Sequence, residues 1–272
     1  MSPALHDRVF LVTGCASGIG RDLADALVAA GARMVATDRD IEALERHARE
    51  RAWPTDRVIT RLLDVTQPED WARVVEETRA RFDRIDVLLN VAGYLLPGWV
   101  HEVDETAVHR HFDVNLKGVV FGTRAASSVM VEQGFGHVVN VASLAALAPI
   151  PGLALYSASK YAVRAFSLAA AQELRPHGVA VTVVCPDAVR TPMLELQRDY
   201  EQAAMTFSGP RVLEPAEVTG AILGPVLQRA PLEVFLPRSR GWLARVADVF
   251  PTTALTIGPI LRKRGRSKQR DH

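Results

Sequence analysis

Cysteine is nearly absent from this chain: Cys15 and Cys185 are the only two in 272 residues. Two isolated thiols offer neither metal-ligand spacing nor the framework of a disulfide-rich secreted protein, so reduced cysteines and a cytoplasmic location are expected. The first ten residues lack a basic leader followed by a long apolar run, and Val9 already opens a strand, so no secretory signal is expected. Neither sign of charge is in excess. The 32 Lys and Arg against 31 Asp and Glu give a net charge of +1, without the strongly basic balance of a nucleic-acid-binding protein. No repeat or low-complexity linker divides the chain. His101, His109 and His111 are close in sequence, but residues two apart on a helix point to different sides, and no cysteine or carboxylate completes a shell. No metal site is expected.

What is present is alternation. Strand-like apolar runs lie near 8 to 13, 33 to 37, 57 to 63, 86 to 90, 136 to 142, 180 to 185 and 232 to 236. Helical patterns fall near 18 to 30, 40 to 51, 67 to 82, 104 to 133, 154 to 175 and 214 to 229. Such alternation predicts an α/β fold: a single-domain, Rossmann-like, doubly wound parallel sheet of about seven strands, with ligand at the carboxyl ends of the strands. Residues 1–240 read as a dinucleotide-binding catalytic domain and 241–272 as a distinct tail.

Three features carry chemistry. The strand Val9-Phe10-Leu11-Val12 runs into Thr13-Gly14-Cys15-Ala16-Ser17-Gly18-Ile19-Gly20 and then a helical pattern. That order brings backbone N–H groups and a positive helix end against a pyrophosphate. Tyr156 and Lys160 are four apart, on one face of a predicted helix, where an ammonium lowers the pKa of a nearby phenol and makes it a usable base. Ser143 ends the apolar strand thirteen residues before Tyr156, and Asn115 sits mid-helix, where asparagine is a poor helix former and needs a reason.

These motifs, in this order, resemble the short-chain dehydrogenase/reductase family over about residues 8 to 236. Thr13 to Gly20 looks like its TGxxxGIG loop, Asn90 to Gly93 its NAG motif and Tyr156 to Lys160 its YxxxK. The resemblance implies a catalytic set of Asn115, Ser143, Tyr156 and Lys160. Tyr156 would exchange the substrate hydroxyl proton, Ser143 would orient the substrate oxygen, Lys160 would bind the nicotinamide ribose and keep Tyr156 acidic, and Asn115 would hold a relay water. Cofactor contacts would come from Gly14, Ser17, Gly18, Ile19, Gly20, Asn90, Ala92, Gly93, Tyr156, Lys160, Pro186, Val189 and Thr191, with Asp64 and Val65 at the adenine. A homo-oligomer, dimer or tetramer, is also expected. Two departures stand out: Val91 replaces the second asparagine of the common NNAG, and Pro186-Asp187 replaces Pro-Gly beside the nicotinamide. A carboxylate at Asp187 would favour the positively charged oxidised cofactor and bias the enzyme toward alcohol oxidation.

Cofactor choice falls to the end of the second strand. Asp38 there can accept from the adenosine ribose hydroxyls and would repel a 2′-phosphate, which argues for NAD over NADP. Arg39 could offset that repulsion, Asp38 could instead simply cap the next helix, and no Lys or Arg lies between Gly14 and Gly18. The implied reaction is hydride transfer between NAD(H) and a secondary alcohol or ketone. An NADPH-dependent ketone reductase and a non-catalytic nucleotide-binding sensor or scaffold are the alternatives.

Apolar loops suggest a small hydrophobic substrate of steroid, lipid or terpenoid kind: Leu95, Leu96 and Trp99, the run Leu144 to Pro151, and Leu194, Leu196, Tyr200 and Met205. The same stretches would also suit helix packing. The tail is apolar from Gly241 to Leu261, with Pro251 and Pro259 arguing against a spanning helix. A run from Arg262 to Arg270 follows, which holds enough positive charge that the chain without residues 262–272 has 26 basic and 30 acidic side chains, a net of −4. It reads as a peripheral contact with an anionic membrane, a subunit contact or a solvated end, and in each case as outside the chemistry, because the motif residues all precede Pro192.

Overall fold

In the computed structural model, which describes residues 5–271, seven parallel strands form one sheet. They are β1 (Val9–Thr13), β2 (Arg33–Asp38), β3 (Val58–Leu62), β4 (Val87–Asn90), β5 (Gly136–Val141), β6 (Val179–Pro186) and β7 (Glu233–Leu236). Between them run α1 (Gly18–Ala29), α2 (Ile41–Glu50), α3 (Pro68–Phe82), α4 (Glu105–Phe112), α5 (Gly118–Gln133), α6 (Ala154–Leu174), α7 (Pro192–Leu196), α8 (Pro215–Ala221) and the single turn α9 (Leu227–Arg229). Two further helices close the chain, α10 (Arg238–Val249) and α11 (Pro251–Asp271). The strand order is β3-β2-β1-β4-β5-β6-β7. The winding reverses between β1 and β4, and at such a reversal a crevice opens at the carboxyl ends of the strands.

Both faces of the sheet are covered, so its strands are apolar throughout rather than alternating. In β1 the two-residue period sends Phe10 and Val12 to one side, where they pack with Leu23, Leu27, Val218 and Ile222. Val9 and Leu11 face the other way, against Trp71, Val74, Ala126 and Met130. At about 25 cal/mol per Å2 of apolar surface buried, these two layers are the main source of stability.

All seven strands and the six helical patterns fall where the sequence predicts, with two interruptions. The pattern at 104 to 133 is broken by a π-turn at Asp113–Lys117, and that at 214 to 229 by another at Ile222–Val226. Pro225 lies inside the second and cannot donate to the helix ladder. Around the first, Asn115 spends its side chain on groups outside its own helix. The tail also departs from expectation. No helix among the described residues is long and apolar enough to cross a membrane, but α10 and α11 are ordered helices that pack on the body of the protein.

A buried polar chain crosses the sheet interior. Asn90 Nδ2 donates to Asn140 Oδ1 at 2.9 Å, and Asn140 Nδ2 donates to Ser167 Oγ at 2.9 Å. Asn140→Ala leaves the buried Asn90 amide with only its longer bond to Thr123 Oγ1 (3.4 Å) and is expected to cost about 2 kcal/mol. The check is a lowered urea midpoint at unchanged m-value.

Candidate functional site

The site begins where β1 stops. Thr13 Oγ1 accepts from the backbone N–H of Val91 (3.0 Å) and Ala92 (3.1 Å), tying the loop after β1 to the loop after β4. Gly14 turns at φ 76°, so close that a Cβ there would lie 3.0 Å from the Ala92 backbone. Gly20 sits on the Gly14 carbonyl, leaving no room for a side chain. Ser17 occupies the N-cap position of α1 without a side-chain capping bond, and the first turn of the helix holds no acidic residue, so its N–H groups are open to the cleft. A Cβ on Gly18 would reach Thr191 Cγ2 at 3.1 Å, so the residue capping α7 leans over the same loop. Gly14, Ser17, Gly18, Ile19 and Gly20 all line the cleft. Together they make an anion cradle that suits a pyrophosphate.

Asp38, Arg39, Asp64 and Val65 form the rim at the ends of β2 and β3. Asp38 accepts from the N–H of Ala16 (2.9 Å) and of Asp40 (3.0 Å). It does not cap α2. That role belongs to Asp40, which accepts from Ala43 N at 3.0 Å. One oxygen of Asp64 is engaged by the backbone and hydroxyl of Thr66. Sequence reasoning overlooked Arg21: its Nε donates to Ala16 O at 2.9 Å, and it lines the cleft beside Asp38. Only its place one turn into α1 could have singled it out.

Across the cleft, Ser143 follows the end of β5 and caps the short turn Leu144–Ala146, and Tyr156 and Lys160 rise from the first turns of α6. Lys160 is buried, and its Nζ donates to Val141 O at 3.0 Å. Its ammonium lies 5.7 Å from the centroid of the Tyr156 ring. Burial pushes the Lys160 ammonium down to about 8. Burial also pushes the Tyr156 phenol up to about 12, opposed by a hydrogen bond with Ser143. This reverses the expected lowering of the Tyr156 pKa, because desolvation of the phenolate outweighs what surrounds it.

Asn115 is also buried, and its side chain is bonded within the chain. Tyr94 N donates to Oδ1 (2.7 Å), and Nδ2 donates to Tyr94 O and to Ser159 Oγ (2.9 Å each). It therefore staples the loop after β4 to α6, with both amide hydrogens engaged and one of the two acceptor positions of Oδ1 taken by Tyr94. Gly93 sits where these groups meet: a Cβ on it would come 3.5 Å from Asn115 Oδ1 and 3.7 Å from Lys160 Nζ. Ala92 and Gly93 line the cleft, as do Pro186, Val189 and Thr191. Asn90 is a correction. Its side chain lies on the face of the sheet under α5, bonded to Asn140 Oδ1 and Thr123 Oγ1, and does not line the cleft.

Asp187 lies in the cleft wall, but its carboxylate is not free. Arg240, in the first turn of α10, holds Asp187 Oδ2 at 2.6 Å. Burial raises the Asp187 pKa and Arg240 opposes that rise. The expected bias toward oxidised cofactor is thus corrected, since the charge is compensated within the chain.

The tail, expected to lie outside the chemistry, contributes to the wall of the cleft. The cleft, of about 1160 Å3, is walled by Leu144, Ile150, Leu153, Met193 and Met205, and also by Leu243, Val246, Ile257 and Leu261 from α10 and α11. Of the apolar residues expected there, Leu196 is exposed and Trp99 instead carries the Arg262 guanidinium 4.5 Å above its ring. Gln269 Nε2 donates to the carbonyls of Gln197, Arg198 and Tyr200. Gly265 lies against the Ala204 carbonyl, and Arg266 pairs with Glu201 at 2.9 Å. On the other side, Asp248 bonds Tyr161 Oη at 3.1 Å, and Glu233 holds both Arg164 (2.6 Å) and Arg245. The tail is fixed at once to the segment 197–204 and to α6.

The family model for short chain dehydrogenase matches residues 8–202. Cyclopentanol dehydrogenase of Comamonas sp. is 35% identical over 223 residues, covering 80% of this chain and 89% of that protein. A 3-alpha-(or 20-beta)-hydroxysteroid dehydrogenase of Mycobacterium bovis is 37% identical over 224 residues, covering 82% and 84%. A short-chain dehydrogenase from Streptomyces avermitilis superposes with a TM-score of 0.78 at 30% identity, over 94% of this chain and 98% of that one. A Burkholderia phymatum short chain dehydrogenase/reductase in complex with NAD gives 0.80 at 24% identity, over 89% and 93%, and so shares the fold. With the glycine cradle, the Tyr156 and Lys160 pair and these matches together, the chain belongs to the short-chain dehydrogenase family of nicotinamide-dependent oxidoreductases.

Proposed function

We propose that this protein is an NAD(H)-dependent dehydrogenase that interconverts an apolar secondary alcohol and its ketone. The observation that carries the reading is the placing of Ser143, Tyr156 and Lys160 across one cleft from the glycine cradle, inside walls of aliphatic side chains. The relatives named for cyclopentanol and for hydroxysteroids favour a cyclic, apolar carbinol. We include in this reading a homo-oligomeric state, dimer or tetramer, as the family resemblance implies. A sensor or scaffold role is disfavoured by the presence of the whole catalytic set.

The cradle and α1 suit the pyrophosphate, Asp38 the adenosine ribose, Asp64 and Val65 the adenine, and Thr191 and Val189 the carboxamide end. The bound nicotinamide supplies the hydride chemistry. Tyr156 moves the proton at the substrate oxygen, Ser143 fixes that oxygen, and Lys160 holds positive charge beneath the phenol. With its pKa near 12, Tyr156 is protonated at neutral pH and is thus poised as the acid for ketone reduction. Alcohol oxidation requires the phenolate and is expected to gain with rising pH.

A second reading, NADPH-dependent ketone reduction, is favoured by Arg21 and Arg39 lining the rim where a 2′-phosphate would lie. The test is a panel of cyclic alcohols and ketones assayed by nicotinamide absorbance with both cofactors. A higher kcat/KM with NADP than with NAD would decide for this second reading.

Tyr156→Phe is expected to lose at least about a hundredfold in kcat while its NADH affinity, followed by fluorescence, stays nearly unchanged. Asp38→Ala should lower the NAD-over-NADP ratio of kcat/KM by about tenfold or more, since it removes hydrogen bonds to the ribose and a repulsive charge. Ketone reduction should fall as pH rises through about 8, where Lys160 loses its proton. Lys160→Arg, which keeps its charge, should remove that limb of the pH profile.

A further inference from the structure

The inner faces of α10 and α11 are engaged with the segment 197–204 and with α6, yet their outer faces are apolar. Trp242 is 70% exposed, Val249 68%, Leu255 79% and Ile260 69%. Trp242, Val246 and Val249 share one face of α10 at spacings of four and three. On α11, Ile260 is followed at three and four residues by Lys263 and Arg264, so an apolar strip runs into a basic end on the same face. Arg238, which begins α10, is also exposed. Among the described side chains of the two helices the one carboxylate, Asp248, turns inward to Tyr161 and Arg164. Among the described side chains, the outer surface of the two helices is therefore apolar and cationic.

This surface is continuous with the cleft. Leu243, Val246 and Ile257 are exposed and also line the cavity, so the apolar patch is its collar. We propose that this face docks on an anionic phospholipid bilayer, and that the cleft receives its substrate from the lipid phase. The route inward rests on the apolar-substrate reading above, whereas the docking does not. Two features favour a bilayer over a second copy of the chain. A twofold contact would bury the patch against itself, and its cations would find no carboxylate among the described outward side chains of the other copy's α10 and α11. It would also close the collar through which an apolar ligand passes. A bilayer instead accepts the aliphatic and indole side chains at the level of its headgroups and attracts the cations.

The test uses the full chain and vesicles of phosphatidylcholine with and without about 30% phosphatidylserine, read by flotation. The protein is expected to float with the anionic vesicles and to be released as salt rises from about 0.05 to 0.5 M. Trp242→Ser/Ile260→Ser and, separately, Lys263→Glu/Arg264→Glu should each weaken vesicle binding by about tenfold or more. None of these four residues lines the cleft, so kcat/KM for a short, water-soluble cyclic alcohol should stay within about twofold. If the first pair fails to fold, the exposed charge pair still decides the matter. Failure of the parent protein to float with anionic vesicles overturns the proposal. If the parent does not float and light scattering shows Trp242→Ser/Ile260→Ser dissociating an oligomer, a second copy covers the face. Vesicle binding without turnover of any alcohol or ketone would overturn the substrate reading and leave the docking intact.

Discussion

The site depends on one buried cation. Lys160 is withdrawn almost completely from water, and an ammonium placed there costs several kcal/mol unless the surroundings repay it. The Val141 carbonyl at the end of β5 gives it a fixed acceptor. Gly93 lies beside it, where a Cβ would come into ordinary contact with both Asn115 and Lys160. Asn115 in turn holds the chain at Tyr94 and Ser159, so α4 and α5 are broken by a π-turn at the point that faces α6. Single-turn π distortions often mark functional positions, and here the distortion lets one side chain bridge two elements.

Much of this was legible in the sequence because it depends on local rules. Glycine at 14, 18 and 20 answers to positive φ or to close approach, and a four-residue spacing places Tyr156 above Lys160 on any helix. The parts that were not legible depend on three-dimensional neighbours. Asn90 matches a family motif, but its side chain bonds Asn140 and Thr123 and does not line the cleft. The sign of the Tyr156 pKa shift follows from how deeply the phenol is buried, which spacing does not give. Arg21 reaches the rim only because α1 carries it there. The tail's share in the cleft wall was hidden for a related reason: its apolar residues are divided between a face that walls the cleft and a face that meets solvent, and a linear run does not say how the division falls.

The tail also changes how the departures from the family pattern fit together. Asp187 stands where a glycine is usual, and Arg240 of α10 neutralises it. Removing one partner of such a largely buried pair leaves the other uncompensated, typically at a cost of several kcal/mol. The family match ends at residue 202, whereas the cleft continues into residues 243–261. The apolar wall of the cleft is thus made in part by residues beyond the family match, Met205 and those of α10 and α11.

The clamp between α11 and the segment 197–208 bears on how such enzymes can be recombined. Gln269 reads three carbonyls of that segment, and Gly265 meets the Ala204 carbonyl with no room for a side chain. A chimera that imports the segment from a relative while keeping the native terminus would lose these backbone contacts and meet a mismatched surface. The exchangeable module in this protein is discontinuous: residues 192–208 and 238–271 have to be transplanted as a pair.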